Sequence, residues 1–151
     1  MQGDGLLIRS FEPADQDAAR GLVLAGLAEH FGTLDAARNP DLREIQASYL
    51  AAGHVFLVAV AAGEIVGTGG LRVESAAVGR IVRMSVAQTH RRRGIGHRLV
   101  TRLIELARER GLREVRVGTE PDWRPAIALY TGCGFVEYGR DGEDIHYRLP
   151  L

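Results

Sequence analysis

"QTHRRRGIGHRLVTRLIELARERG", Gln88–Gly111, sets three consecutive arginines ahead of two close glycines and then a run with helical apolar spacing. Leu99, Leu103, Leu106 and Ala107, flanked by Val100 and Ile104, form one stripe that stops at Gly111. The first turn of a helix leaves backbone N–H groups without acceptors and carries a partial positive charge, so glycines there let an anion come close. Gly94 and Gly96 supply that approach, with Ile95 and His97 adding helix-start backbone. Arg91, Arg92, Arg93 and Arg98 bring side-chain charge to the same spot, and a guanidinium grips phosphate oxygens through two parallel hydrogen bonds. The stretch reads as a pyrophosphate site.

Three other readings compete. A dinucleotide-binding fingerprint wants a third glycine where Leu99 stands and belongs in the first strand-to-helix unit. An RNA-contacting patch would interleave aromatics, which this segment lacks, in a chain whose formal net charge is +0. A solvated arginine run with glycines serving only a turn stays open on this segment alone.

Outward from this segment the chain alternates strands and helices. "GLLIRSF" is suited to a first strand, and Asp15 begins a helix whose Ala18, Leu22, Ala25 and Leu27 recur at helical spacing up to Gly32. "FGTLDAARNP" reads as a loop, and a second helix is expected from Asp41 through about Leu50. "HVFLVAVAA" and "EIVGTGGLRVE" are β-rich runs joined by a hairpin connection, and "VGRIVRMSVA" is a further strand before the arginines. After the helix come a strand "EVRVGTE", a short helix "WRPAIALYTG" and a closing hairpin turning around Asp141 and Gly142. The expectation is a single mixed α/β domain over residues 1–151.

Composition excludes several chemistries. All 19 basic residues are arginine, so a Walker phosphate loop and Schiff-base catalysis, which both need lysine, are absent. The 19 acidic residues balance them, and no global field draws the chain to nucleic acid or membranes. Cys133 is the single cysteine, which rules out an intrachain disulfide and a cysteine zinc cluster. The opening "MQGDGLLIRS" has no basic segment leading into an apolar run, and no stretch approaches the roughly 20 apolar residues of a membrane helix. A cytoplasmic protein is expected.

With both its motifs in view, the chain resembles the GNAT superfamily of acyl-CoA-dependent N-acyltransferases. "RRRGIG" matches the family's Arg/Gln-x-x-Gly-x-Gly/Ala motif at Arg91, Gly94 and Gly96, and "AIALYTGCGF" matches its helix carrying Leu-Tyr and ending in Gly-Phe at Leu129, Tyr130, Gly134 and Phe135. The resemblance runs from about Leu6 to the end. It implies a central mixed, mostly antiparallel sheet flanked by about four helices. It implies acetyl-CoA as cosubstrate, its pyrophosphate on the motif loop and its pantetheine arm paired with Met84, Ser85 and Val86. Tyr130 becomes the acid that protonates the departing thiolate, a role a phenol can fill at a thiol leaving group.

The match departs at two places. Trp123 stands where many members place a cofactor-contacting Asn, and is expected to cover the edge of the core; Arg80 stands where some carry a Glu that helps draw the proton from the amine. Glu74 and Glu120, at strand ends, are the candidate proton acceptors, and His146 can point to either face of the last strand. His30, His54, His90 and His97 lack the i, i+4 spacing of helical metal ligands, so no metal is expected. Cys133 has no histidine partner placed by sequence and is read as a small buried hydrophobe, not a nucleophile.

The expected activity is direct attack of a primary amine, on a small molecule or peptide, on acetyl-CoA in a ternary complex. Acceptor choice would lie in "AEHFGTLDAARNPDLRE", where Glu29, Asp35, Asp41 and Glu44 weakly favour a cationic amine. A longer acyl-CoA, or a non-catalytic CoA- or RNA-binding module on the same fold, are the alternatives. No nucleic-acid or membrane partner is expected, and the chain is read as a monomer or homodimer.

Overall fold

The computed structural model describes residues 5–32 and 39–151; Asp35 and most of the loop expected before Asp41 lie outside them. Among the described residues seven strands form one sheet in the order β1-β2-β3-β4-β5-β7-β6. They are β1 (Leu7–Ser10), β2 (Val55–Ala61), β3 (Glu64–Val73), β4 (Val78–Val86), β5 (Glu114–Thr119), β6 (Val136–Arg140) and β7 (Ile145–Pro150). Only β4 and β5 run parallel, joined by helix α2 (Ile95–Glu109); every other neighbour is antiparallel. Helix α1 (Gln16–Phe31) lies on one face, and α2 with α3 (Arg124–Gly132) on the other. The mixed, mostly antiparallel sheet expected from the sequence is what forms.

Each face of the sheet has its own core. Leu99, Val100, Leu103 and Ala107, buried along α2, pack with Leu57, Leu71, Ile81, Val115 and Tyr147. On the opposite face Ala19, Val23 and Leu24 of α1 pack with Phe56, Val58, Leu42 and Tyr49. Alternation along the strands divides these residues between the layers.

The second helix expected over Asp41–Leu50 does not form as one unit. A 3₁₀ turn at Pro40–Leu42 and a π-helical turn at Gln46–Leu50 take its place. Gln16 on α1 is the physical reason. Its amide donates to the carbonyls of Leu42 and Arg43 at 2.8 and 2.9 Å and accepts the N–H of Ile45 at 2.9 Å. Those backbone groups would otherwise pair along a helix, and a side chain 26 to 29 residues away has taken them.

Candidate active site

The parallel pair at the centre of the sheet comes apart. β4 and β5 are in register only at Val78↔Glu114, Gly79↔Val115 and Arg80↔Arg116. Beyond that rung β4 stays with β3 and β5 stays with β7, so a cleft opens between two strands of one sheet. Met84, Ser85 and Val86 lie on the diverging part of β4, with no strand partner on their β5 side among the described residues. An extended amide-bearing arm can pair there as a strand would.

A bulge sets the direction of that edge. Thr68 opposes Ser85 and Gly70 opposes Val82, so Gly69 faces both Arg83 and Met84. Arg83 takes up the extra residue with φ of 56°, in the left-handed region that a non-glycine residue seldom occupies. The kink breaks alternation. Val82 and Arg83 both turn to the α1 face, and Met84 to the α2 face. Thr68 Oγ1 donates to the Arg83 carbonyl at 2.8 Å, and the Arg83 guanidinium is bidentate on Asp41 at 2.7 and 2.9 Å.

Past β4 the motif loop leads into α2. Arg92 and Gly94 both have left-handed backbone, φ 64° and 79°, and no side chain caps the helix. The first helical hydrogen bond runs from Arg98 N–H to the Gly94 carbonyl, so the N–H groups of Ile95, Gly96 and His97 have no acceptor within the helix. Gly96 also lets α2 approach α3, since a Cβ there would lie 3.3 Å from Leu129. Arg92, Arg93 and His97 are exposed beside these donors. Arg91, expected among the phosphate ligands, pairs its guanidinium with Glu29 of α1 at 2.6 and 3.0 Å and donates to the Val86 carbonyl at 3.1 Å. It ties α1 to the end of β4, beside a pocket of about 160 Å³ lined by Leu22, Gly26, Glu29, Ser85 and Arg91.

Tyr130 sits on α3 in the α2-side core, its ring edge-on to Phe135 at 5.9 Å. Burial, with a smaller contribution from Cys133, pushes its hydroxyl far above the usual phenol range, so it is protonated at any working pH. Burial also pushes the Cys133 thiol up, which opposes a thiolate nucleophile.

The two carboxylates proposed as proton acceptors fall in different places. Glu74 follows β3 at the closed end of the cleft, its N–H on the Val78 carbonyl and its carboxylate on Arg80 Nε at 2.9 Å. Seven residues of strand separate Val78 from Ser85, roughly 23 Å at the usual rise. The Glu74 carboxylate is thus held by Arg80, at the last rung that β4 shares with β5. Glu120 is at the open end, where His30 Nε2 meets its Oε1 at 3.1 Å.

That contact belongs to a cluster the sequence did not announce. The His30 ring stacks on Trp123 at 3.8 Å and 10°, and Phe31 stands edge-on to both. The last turn of α1 thus reaches over the mouth of the cleft to the β5–α3 loop, and Trp123 packs against α1. His30, Glu120 and Asp122 place three potential ligand atoms within 4.8 Å of one another, a set that could receive a cation. No sequence spacing signals it, because its members come from segments 90 residues apart.

Comparison with known proteins agrees with this geometry. The model of the acetyltransferase (GNAT) family matches residues 25–135. A probable N-acetyltransferase family 8 member 5 of Mus musculus is 37% identical over 108 residues, 68% of this chain and 48% of the mouse protein. The chain spans about half the length of the curated relatives it matches. Among solved structures, a GNAT acetyltransferase of Staphylococcus aureus superposes with a TM-score of 0.88 at 24% identity, covering 97% of this chain and 99% of that one. An N-acetyltransferase of Thermoplasma acidophilum, solved with coenzyme A, has a TM-score of 0.82 at 15% identity over 97% of this chain and 99% of its own. With both motifs, the split sheet and a family model covering most of its length, the chain belongs to the GNAT acetyltransferase family.

Proposed function

We propose that this chain is an N-acetyltransferase that moves the acetyl group of acetyl-CoA to a primary amine by direct attack in a ternary complex. The observation that carries the reading is the continuity of three features: the open edge of β4, the uncapped start of α2 and a buried protonated tyrosine on α3. The N–H groups of Ile95, Gly96 and His97 receive the pyrophosphate, with Arg92 and Arg93 beside them. Met84, Ser85 and Val86 hold the pantetheine arm as an added strand, and their oriented backbone dipoles stabilise charge on the thioester oxygen. The amine attacks the carbonyl carbon, the C–S bond breaks, and Tyr130 gives its proton to the leaving sulfur. Coenzyme A and acetyl-CoA in solved neighbours support this choice of cosubstrate.

Calorimetric titration with acetyl-CoA and CoA tests it. Micromolar binding that weakens at least tenfold, about 1.4 kcal/mol, in an Arg92→Ala, Arg93→Ala double variant supports the reading. A folded protein that binds neither thioester nor thiol overturns it.

A further inference from the structure

Two buried side-chain polar atoms, among the described residues, have no hydrogen-bond partner: Thr119 Oγ1 and His146 Nδ1. Both lie beside β5 just past its last rung with β4, at Arg116. Successive residues point to opposite faces, so Thr119 looks toward the α2 core while Gly118, paired with His146, looks the other way. Buried polar atoms are nearly always satisfied, so the unpaired Nδ1 of His146, on the face of the sheet opposite α2 and beside the diverging half of β5, points to a ligand on that face.

The His146 imidazole is set as a proton acceptor would be. Its Nε2 meets Asp141 Oδ2 at 2.8 Å, which makes Nε2 the protonated nitrogen and leaves the lone pair on Nδ1. Asp141 is itself fixed, because its Oδ1 accepts the N–H groups of Glu143 and Asp144 at 2.9 and 2.8 Å in the β6–β7 turn. The ring lies over Gly118, where a Cβ would come within 3.3 Å of Nδ1, so a side chain at 118 would displace it. The charged and titratable groups around the ring include Asp141 from the turn, Tyr138 of β6 with rings 6.1 Å apart, Arg116 of β5 and Arg148 of β7, each over the Tyr138 ring at 5.4 Å, and Arg80 of β4, whose guanidinium reaches the same space over Gly118 and is held by Glu74.

We propose that His146, oriented by Asp141, takes the proton from the acceptor amine; the proposal rests on the acetyltransferase reading above. The ammonium gives one proton to Nδ1, and Asp141 stabilises the imidazolium. The freed lone pair forms the N–C bond as the C–S bond breaks. Tyr130 protonates the sulfur and recovers a proton, through water, from the nitrogen of the new amide. His146 returns its proton to solvent, so the reaction releases one proton per turnover. His146 is the catalytic residue and Asp141 a positioning residue.

The test follows CoA release with a reactive amine across pH for the full chain and for His146→Gln and Asp141→Asn, each checked for acetyl-CoA binding. The expected result for His146→Gln is a loss in kcat/KM of about a hundredfold at pH 7 with binding unchanged, shrinking as pH rises and the amine deprotonates in solution. Asp141→Asn should lose about tenfold and move the acidic limb of the profile. Nitrogen NMR of the wild type should show Nε2 as the protonated nitrogen of the neutral ring. A His146→Gln enzyme with the wild-type rate and profile overturns the proposal alone. Wild-type protein that transfers acetyl to no amine overturns it together with the functional reading.

Discussion

Arg83 and Asp41 are held by two hydrogen bonds of 2.9 and 2.7 Å across 42 residues of chain, and the arginine is the one residue of β4 with left-handed backbone. The pair joins the kink in the cleft wall to the turn beneath α1. Asp41 also accepts the Tyr49 hydroxyl at 2.6 Å, and Arg72 lies over the Tyr49 ring at 4.6 Å. Asp41 thus holds the strained strand and the α1-side layer together.

Asp41→Asn should therefore destabilise the fold and slow transfer. It removes one partner and leaves the Arg83 guanidinium largely buried, a kind of loss that costs about 3 kcal/mol. Urea unfolding at pH 7 should show the midpoint fall without a change of slope. Asp41→Asn at wild-type stability would show that the bulge is held by Thr68 and the strand ladder alone.

Gly67→Ala tests how closely α2 is seated. A Cβ there would stand 3.1 Å from Ile95 Cγ2, 3.1 Å from Leu99 Cδ1 and 3.2 Å from Ala59 Cβ. Three close neighbours on a helix and a strand cannot all yield, so overpacking should cost about 2 kcal/mol. Because Ile95 opens α2, acetyl-CoA affinity should fall as well, readable by calorimetry.

Tyr130→Phe should leave acetyl-CoA affinity unchanged and lower kcat about a hundredfold, the usual contribution of a positioned acid. The ring keeps its edge contact with Phe135, so packing is conserved. Full turnover by the variant would move the thiolate's proton source to water.

The cleft was legible in the sequence where its parts are local. Gly94 and Gly96 lie directly before the α2 stripe, so the open helix start could be read from one segment, whereas Tyr130's role is what the family resemblance implies and its spacing alone reads as core. What stayed hidden depends on distant segments meeting. The pairing of Arg91 with Glu29, 62 residues earlier, has no local signal. That Glu74 lies on Arg80 at the closed end depends on the β3–β4 hairpin. His30, Trp123 and Glu120 have no common spacing, and His146 gains meaning only beside Gly118 and Asp141. The broken second helix depends on Gln16 in another element, which local periodicity cannot report.

Burial, then the hydrogen bond to Asp41, push Tyr49 from 10.0 up to about 12. A folded value above the unfolded one means the fold favours the protonated phenol. That contribution is whole below pH 10.0 and is lost as pH rises from there toward about 12, as the unfolded chain ionises first. The loss should reach about 2 kcal/mol, and Tyr130, shifted the same way by burial, adds to the same limb. Tyr49→Phe gives up the bond to Asp41, about 1 kcal/mol at pH 7, yet should decline less steeply between pH 10 and 12. Urea midpoints at pH 7, 9, 10 and 11 for both proteins decide it: curves that stay parallel throughout would place the alkaline loss in some group other than Tyr49.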